Sequence, residues 1–546
     1  MKRTRLIASL IPALVMLAAC GVTAPSATPT SSQSSAPSPT AFQPETITPT
    51  PAPLTLWLSP GLPQAISDLL QGVTQAGGFP VQIVDQSDEA LVRAEPGAEV
   101  QLSSWVFVAA GAFPMLDDEI SVNDLQALWN GSGRQKLYAS PTTAVALEAL
   151  WGPPAAGSVT TSDEEGLLDQ AWQDGNLLAL IPFEALEPRW KALTVGGMSP
   201  VHIGFDMEAY PLVVPFGLSG DAQAIAALQE ASPWPESNLD PDRMTVLVMT
   251  GVTALTRATA AKMDNRGMTY PAEAIGSWLQ QADITHVSHE VSFTAGCPPP
   301  DPNDLSGRFC SSPRHMELLE YVGVDVVELT GDHLNDWGRA AMLESLGLYD
   351  EQGWPYFGGG ANLEESYQPV FLEHNGNRFA FLGCNINRLR PPQAWATVDS
   401  PGATPCDMDM LLDQVTQLRQ QGHLPIFTFQ WTEEYQPNPS PAQQQDFREA
   451  VDAGAVIVSG SQAHQPQGFE FYEGSFIHYG LGNLFFDQMW SLQVRQEFID
   501  RHVFYEGRHI STVLHTALLE DWSRPRPMTE AERQAFLETI FDASGW

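Results

Sequence analysis

The sequence has few basic residues, few cysteines and a single long hydrophobic run. Only 26 lysines and arginines stand against 65 acidic residues, which gives a formal net charge of −39. Because nucleic-acid phosphates are bound by clustered Lys and Arg side chains, this composition argues against a nucleic-acid partner. The acidic residues are spread along the chain, which is typical of a solvated surface. After the N-terminal run, no hydrophobic segment reaches the ~20 residues that a membrane-spanning helix needs.

The hydrophobic run lies at the N-terminus and has the layout of an export signal. Lys2, Arg3 and Arg5 are basic, residues 6–17 are uncharged, and small side chains then lead to Cys20. The run is too short to span a bilayer comfortably. The pattern predicts a lipoprotein signal peptide over residues 1–20, with Cys20 carrying the lipid that anchors an extracytoplasmic protein to the cell membrane. The alternative is an ordinary cleaved signal peptide with Cys20 merely close to the cut.

Residues 21–53 are almost entirely Ser, Thr, Pro and Ala, with a single charge at Glu45. Such a segment cannot bury enough apolar surface to fold, so it predicts a disordered stalk.

The ~490 residues that follow are too many for one core, and two domains are expected. Their predicted bounds are 54–240 and 243–520, followed by a C-terminal tail over 521–546.

Four cysteines remain once Cys20 is assigned to lipid. They are Cys297, Cys310, Cys384 and Cys406. An even number of cysteines outside the cytoplasm indicates disulfides, and three connectivities are possible. We favour 297–310 and 384–406, because each pair encloses a proline-rich, loop-like stretch. The spacing does not fit a zinc finger.

The first predicted domain alternates strands with helices. Strand patterns occur at Leu54–Ser59, Phe79–Asp85 and Trp105–Ala109. A later helix pattern has Ser121 as a plausible N-cap and Gly131 as its stop. This alternation predicts an α/β domain.

Two stretches of that domain carry a family resemblance. WVFVAAGAFPMLDDEISVNDLQALWNG (105–131) and LLALIPFEALEPRWKALTVGGMSPV (177–201), followed by AYPL (209–212), resemble type 2 periplasmic solute-binding proteins, the phosphate-binding kind especially. The resemblance spans most of 54–220. It implies binding of a small anionic solute by backbone N–H groups at helix starts. The alternative is a structural or partner-docking remnant.

In the second predicted domain, polar clusters repeatedly follow apolar strands. Since α/β sheets place their sites at the carboxyl ends of strands, these clusters are expected to converge on one cleft. The strand patterns are Met244–Met249, Ile284–Val287, Val324–Leu329, Leu424–Phe429 and Val456–Val458. The residues expected at the cleft are His289, Glu290, Asp332, His333, Gln430, Trp431, Glu434, Gln462, His464 and Asn483.

The order of these motifs resembles the CapA family, named for the poly-γ-glutamate capsule synthesis protein. Gly482–Asp487 keeps one family motif intact, and Gly331–His333 with Asp336–Gly338 keeps another. The resemblance covers essentially the whole second domain. It implies a metallophosphoesterase-like fold, a β-sandwich flanked by helices.

This chain departs from the family at several metal-ligand positions. Val252 replaces a carboxylate, and Gln430 and Gln462 replace two imidazoles. Two-metal hydrolysis needs carboxylate and imidazole ligands around both cations. Valine cannot ligate, and a glutamine carbonyl is a poor substitute for imidazole on a transition metal. Efficient dinuclear hydrolysis is therefore not expected.

The resemblance leaves Glu290, Asp332 and His464 as candidate ligands of a single divalent cation (Mn, Zn or Mg). His333 stands where the family's general acid would be, and His289 is available for recruitment. The alternatives are that the two carboxylates brace strand-end loops and that His333 and His464 are hydrogen-bonded histidines with no metal.

Three functions follow from these patterns. One is a weakly catalytic or noncatalytic binding or assembly factor for an envelope polymer, with Trp431 and Tyr435 either as an aromatic wall or as core residues. The second is an active hydrolase of phosphoesters or γ-glutamyl polymers. The third is a sensor of a small anionic solute through the first domain.

Overall fold

The computed structural model describes residues 52–386 and 393–546. The predicted signal peptide, Cys20 and most of the predicted stalk lie outside the described residues. Among the described residues, no helix combines the length and the apolar character needed to cross a membrane.

A mixed ten-stranded sheet forms the N-terminal part, residues 54–240. The strands there are β1 (Leu54–Leu58), β2 (Gln75–Ala76), β3 (Phe79–Val84), β4 (Val92–Pro96), β5 (Val100–Ala112), β6 (Glu119–Ile120), β7 (Lys136–Ala139), β8 (Val159–Thr161), β9 (Leu177–Pro182), β10 (Trp190–Ala192), β11 (Thr194–Val195) and β12 (Val213–Gly220). The helices are α1 (Gln64–Gln71), α2 (Val122–Trp129), α3 (Pro141–Trp151), α4 (Glu164–Gln173) and α5 (Ala222–Ala231), with short 3-10 turns at Ser87–Glu89 and Phe183–Ala185.

The sheet order is β2-β3-β1-β4-β12-β5-β9-β7-β8, and β10 pairs with β5. Strand β1 is parallel to β3 and β4, whereas β12 and β5 are antiparallel. Helix α2 begins as predicted, because the Ser121 side chain accepts a hydrogen bond from the Asp124 backbone N–H. The predicted α/β class is confirmed for this part.

The C-terminal part, residues 241–546, holds the remaining elements. Its strands are β13 (Met244–Thr250), β14 (Val252–Thr253), β15 (Ile284–His289), β16 (Val326–Glu328), β17 (Tyr356–Phe357), β18 (Gly359–Gly360), β19 (Val370–His374), β20 (Asn377–Asn385), β21 (Gly402–Ala403), β22 (Leu424–Gln430), β23 (Ile457–Ser461), β24 (Phe469–Tyr472), β25 (Ser475–His478), β26 (Gln496–Tyr505), β27 (Arg508–Glu520) and β28 (Arg524–Pro527). Its helices are α6 (Arg257–Arg266), α7 (Gly276–Gln280), α8 (Met316–Val322), α9 (Arg339–Gln352), α10 (Leu363–Ser366), α11 (Met408–Gln420), α12 (Pro441–Asp452), α13 (Leu492–Arg495) and α14 (Glu530–Ala543), with 3-10 turns at Pro241–Arg243, Tyr270–Ala272 and Pro313–His315.

Two sheets in this part form a sandwich. The first has the order β17-β16-β15-β13-β26-β27-β28, with β14 beside β15, and the second has the order β19-β20-β22-β23-β25-β24. One apolar cluster joins their facing sides, for example Met249 and Phe498 of the first sheet with Phe381 and Ile426 of the second.

Helices cover both outer faces of the sandwich. Val287 and Val327 of the first sheet pack with residues of α7, α8 and α9, while Phe427 and Val458 of the second pack with residues of α11 and α12. The alternation of side chains along each strand places apolar residues on both faces, as a sheet buried on both sides requires. The predicted β-sandwich flanked by helices is confirmed.

Both predicted disulfides are present. Cys297 bonds to Cys310 and Cys384 bonds to Cys406. Of the three possible connectivities, the favoured one is therefore confirmed.

Residues 521–546, predicted only as a tail, are ordered elements of the fold. Strand β28 extends the first sheet beside β27, and α14 buries Phe536 and Phe541 in the core between the sheets. A capping box starts α14, because the Thr529 side chain accepts from the Glu532 N–H while the Glu532 carboxylate accepts from the Thr529 N–H.

Candidate functional site

The site lies where strands of both sheets end. Glu290 follows β15, and Asp332 and His333 follow β16, its parallel neighbour. Gln430 ends β22, and Gln462 follows β23, again a parallel pair. Because parallel strands end on the same edge of a sheet, the polar residues of each pair are brought side by side, as the sequence predicts.

Glu290, Asp332 and His333 form a compact, buried cluster. Each offers one atom that a metal ion could use, and these atoms all lie within 4.8 Å of one another. His333 Nδ1 is 2.6 Å from Asp336 Oδ2, while Nε2 is 3.7 Å from Asp332 Oδ1. A carboxylate behind an imidazole is the arrangement that orients metal-binding histidines. His333, predicted as a general acid, thus stands among the candidate ligands.

The charge of Glu290 is poorly accommodated without a cation. Its side chain is 2% exposed, and Oε2 accepts no hydrogen bond from the described residues. Burial and the neighbouring Asp332 carboxylate raise the pKa of Glu290 well above its usual value. Two adjacent carboxyl groups and an imidazole fit one divalent cation, which would stabilise the ionised form of both acids.

Two glutamine side chains bridge the carboxylates from the second sheet. Gln430 Nε2 donates to Glu290 Oε1 at 3.4 Å, and Gln462 Nε2 donates to Asp332 Oδ1 at 3.3 Å. Gln430 Nε2 also donates to Gln462 Oε1, and Ser461 Oγ donates to Gln430 Oε1 at 2.5 Å. We call Gln430 and Gln462 the amide bridge. In these two contacts the bridge presents its N–H groups, and not its carbonyl oxygens, to the carboxyl groups of the cluster.

An apolar wall closes another side of the site. Val252 is fully buried in a small cluster with Phe309 and Phe486. The Phe309 ring centroid lies 4.5 Å from that of His333, and Phe486 lies 5.5 Å from His464. The position predicted to have lost a carboxylate is therefore filled by hydrocarbon, with no ligand atom for a second cation.

His464 lies beside the cluster but is not one of its three members. Its Nδ1 is 2.9 Å from Asn483 Oδ1, and Asn483 Nδ2 in turn donates to the His464 backbone oxygen at 3.3 Å. Burial lowers the pKa of His464, so the ring is neutral at pH 7. The backbone of His464 has φ +53°, and that of Gln462 has φ +80°. Two non-glycine residues in the left-handed region mark this loop as strained.

Two residues predicted at the cleft lie elsewhere. The His289 ring stacks on Phe293 at 4.5 Å, and its Nδ1 is 2.9 Å from Tyr349 Oη, within the helix-covered core. His289 and Glu290 are adjacent, so strand alternation sends them to opposite faces. Trp431 packs in the core against the ring of Phe447, which is the core alternative given for it above and not the aromatic wall of a cleft.

Several contributors were missed from the sequence. Asp336 orients His333, and the negative charge of Glu433 acts on both Glu290 and His464, where burial is the main cause of the pKa shift. The predicted Glu434 is not among the charges that act on either group. The Asp-His-x-x-Asp spacing at residues 332–336 was a visible signal for Asp336.

Arg257 forms a positive group at the back of the apolar wall. Its guanidinium carbon lies 4.6 Å from the Phe309 ring and 5.2 Å from the Phe486 ring. It pairs with Asp487, which also accepts from the Ala258 N–H at 2.9 Å. Asp487 therefore braces this loop and does not face the cluster.

Comparison with known proteins concerns mainly the C-terminal part. Residues 246–488 match the family described as "Bacterial capsule synthesis protein PGA_cap". The capsule biosynthesis protein CapA of Bacillus anthracis is 30% identical over 220 residues, which are 40% of this chain and 53% of that protein. The PGA biosynthesis protein CapA of Bacillus subtilis (strain 168) is 26% identical over 193 residues, 35% of this chain and 50% of that protein. The chain thus spans about half the length of these curated relatives.

Similarity to solved structures is more distant. An ABC-type phosphate transport receptor from Vibrio cholerae is 11% identical with a TM-score of 0.27, covering 32% of this chain and 91% of that one. This score is too low to support an argument about function. The family match over residues 246–488 includes every member of the buried cluster. Residues 246–488 therefore belong to the bacterial capsule synthesis protein (PGA_cap) family.

Proposed function

We propose that this chain is a cell-surface lipoprotein that binds or assembles an envelope polymer of the capsule or poly-γ-glutamate type, with a metal site reduced to one cation. The amide bridge is the observation that carries this proposal. It occupies the side of the cluster that a second cation would need, and it offers N–H groups there. The names of the Bacillus relatives support a role in capsule synthesis.

The residues that would hold the single cation are Glu290, Asp332 and His333. Bound there, a divalent ion would supply positive charge and polarise an oxygen of the polymer. Asp336 would keep the His333 imidazole oriented, and burial would exclude competing water. Val252 and the amide bridge provide no ligand for a second cation on their side of the site, and dinuclear hydrolysis would need one there.

A single-metal hydrolase of phosphoesters or γ-glutamyl polymers is the second candidate. The unpaired Glu290 Oε2 and the oriented His333 favour it, because they would activate a water bound to one cation. Turnover separates the two candidates. A purified protein that contains stoichiometric metal and loses turnover in His333→Ala would overturn the binding proposal.

Replacement of Gln430 and Gln462 by histidine tests the proposal that the amide bridge excludes a second cation. We expect the double variant Gln430→His with Gln462→His to bind about one more Mn²⁺ or Zn²⁺ per chain than the wild type, since imidazole ligates where the amide N–H groups do not. Metal content after dialysis, measured by elemental analysis, gives the count. Gln445→His on the exposed face of α12 is the matched control. An unchanged metal count in the folded double variant would contradict the proposal.

The lipid anchor is tested at Cys20. A labelled fatty acid supplied to expressing cells should be incorporated into the wild type and not into Cys20→Ala, because the thiol is the acceptor. The wild type should also sediment with membranes. An unlabelled wild type, or a Cys20→Ala variant that still carries the label, would show that the chain is anchored differently or not at all.

A further inference from the structure

A cavity of about 270 Å³ lies at the junction of the N-terminal and C-terminal parts, away from the buried cluster. Lys191 and His202 line it from the N-terminal part. Trp278, His515 and Arg533 line it from the C-terminal part. A pocket of this size holds a small solute, and its walls join segments that are distant in sequence.

The lining is basic although the chain is strongly acidic. Asp118 is the only carboxylate among the lining residues, and it pairs with both Lys191 at 2.8 Å and Arg533 at 2.9 Å. The buried Arg501 adds a further cation behind the wall, where it donates to the Val201 backbone oxygen at 3.0 Å. A local excess of positive charge thus survives in a protein with net charge −39.

The cavity also holds polar ring groups that have no protein partner. The imidazoles of His202 and His515 and the indole N–H of Trp278 make no hydrogen bond with any described residue. Trp278 stacks on His515, with ring centroids 4.6 Å apart and planes at 12°. Stacking fixes the orientation of both rings while their N–H groups remain available. All three residues are half-buried and line the cavity, so their ring N–H groups can donate to a molecule bound there.

From these observations we infer that the cavity binds a small oxyanion of the phosphate or carboxylate class. Arg533 supplies positive charge, and His202, His515 and Trp278 supply N–H donors from the walls of the same cavity. Phosphate and carboxylate oxygens accept several hydrogen bonds at once, which matches a lining rich in donors. The site is separate from the cluster at Glu290 and belongs to neither candidate function above.

Protonation accompanies binding. Burial, and then the positive charge of Arg501, lower the pKa of both His202 and His515 to about 4. His515 also faces His202, Arg533 and Asp118. A bound anion would favour the charged imidazoles and raise both pKa values, so binding at pH 5–6 takes up protons. Affinity is therefore expected to rise as the pH falls.

Calorimetric titration of the intact protein tests this inference, with inorganic phosphate in one arm and acetate in the other. We expect a single site for at least one of them and proton uptake, seen as a heat that depends on the ionisation enthalpy of the buffer. His515→Gln and His202→Gln should each weaken binding about tenfold and abolish part of the proton uptake. His423→Gln, a histidine remote from the cavity lining, should change neither.

Two results would contradict the proposed anion site. Absence of binding in both arms at millimolar anion would refute the inference, and so would an affinity that His202→Gln, His515→Gln and Arg533→Gln leave unchanged. Circular dichroism of each variant shows whether it is folded. The two histidine variants keep the inference testable if Arg533→Gln does not fold, because Arg533 also pairs with Asp118.

Discussion

Glu497 on β26 is a carboxyl group whose charge opposes folding. Its side chain is fully buried, and neither carboxylate oxygen accepts a hydrogen bond from the described residues. Burial raises the pKa of Glu497 well above its usual value. The pKa of Glu497 is higher in the folded protein than in the unfolded chain. Glu497 therefore costs no stability below pH ~4.5, and its cost grows as the pH rises toward the folded-state pKa.

Glu497→Gln should therefore stabilise the protein more at alkaline than at acid pH. The gain relative to wild type should grow by about 1.4 kcal/mol per pH unit between pH ~4.5 and the folded pKa, then level off. Urea unfolding at pH 5 and pH 8 measures the difference. Glu538→Gln, on an exposed turn of α14, serves as the control. A gain equal at both pH values would show that the pKa of Glu497 in the folded protein is not raised above its unfolded value.

At the scale of elements, strand ends made the site predictable. Glu290, Asp332 and His333 were named from the sequence because each follows an apolar run, and parallel pairing brings them together. The sequence did not show which of two adjacent residues points toward the cluster. His289 was grouped with Glu290, since the alternation that separates them depends on where β15 ends.

Loop residues were harder to place than strand residues. Glu434 was predicted at the cleft, whereas the charge that acts on Glu290 belongs to Glu433. The irregular backbone after β22 has no fixed period, so the sequence does not show which side chain points toward the cluster. Helix α14 was missed for a different reason. The Thr529 capping box is followed by apolar residues at helical spacing, namely Phe536, Leu537, Ile540 and Phe541, and this pattern predicts a helix.

At the scale of the whole molecule, Phe113 is one of the side chains that join the two parts. Phe113 follows β5 of the N-terminal sheet, yet its ring packs among aromatic rings of the C-terminal part. Those rings, with centroids 5.1 to 6.2 Å away, are Phe469, Phe471, Phe476, Phe541 and Trp546. The predicted domain boundary near residue 240 is thus crossed by a shared apolar core, which favours unfolding of both parts together.

Phe113→Ala should destabilise the protein by about 3–5 kcal/mol, because it removes a fully buried ring and leaves a cavity. We also expect it to split one calorimetric unfolding transition into two, since the contact between the parts is weakened. Phe371→Ala, whose ring is 51% exposed, is the control and should change little. A Phe113→Ala variant as stable as the control would mean that the parts are held together elsewhere.

The amide bridge has a genetic consequence. Glutamine and histidine share the first two bases of their codons, so a third-base change at either position exchanges an amide for an imidazole. The cluster at Glu290, Asp332 and His333 would be untouched by such a change. Gain or loss of metal capacity is therefore accessible by point mutation without rebuilding the fold. We expect natural variants of this chain to carry both residue types at positions 430 and 462.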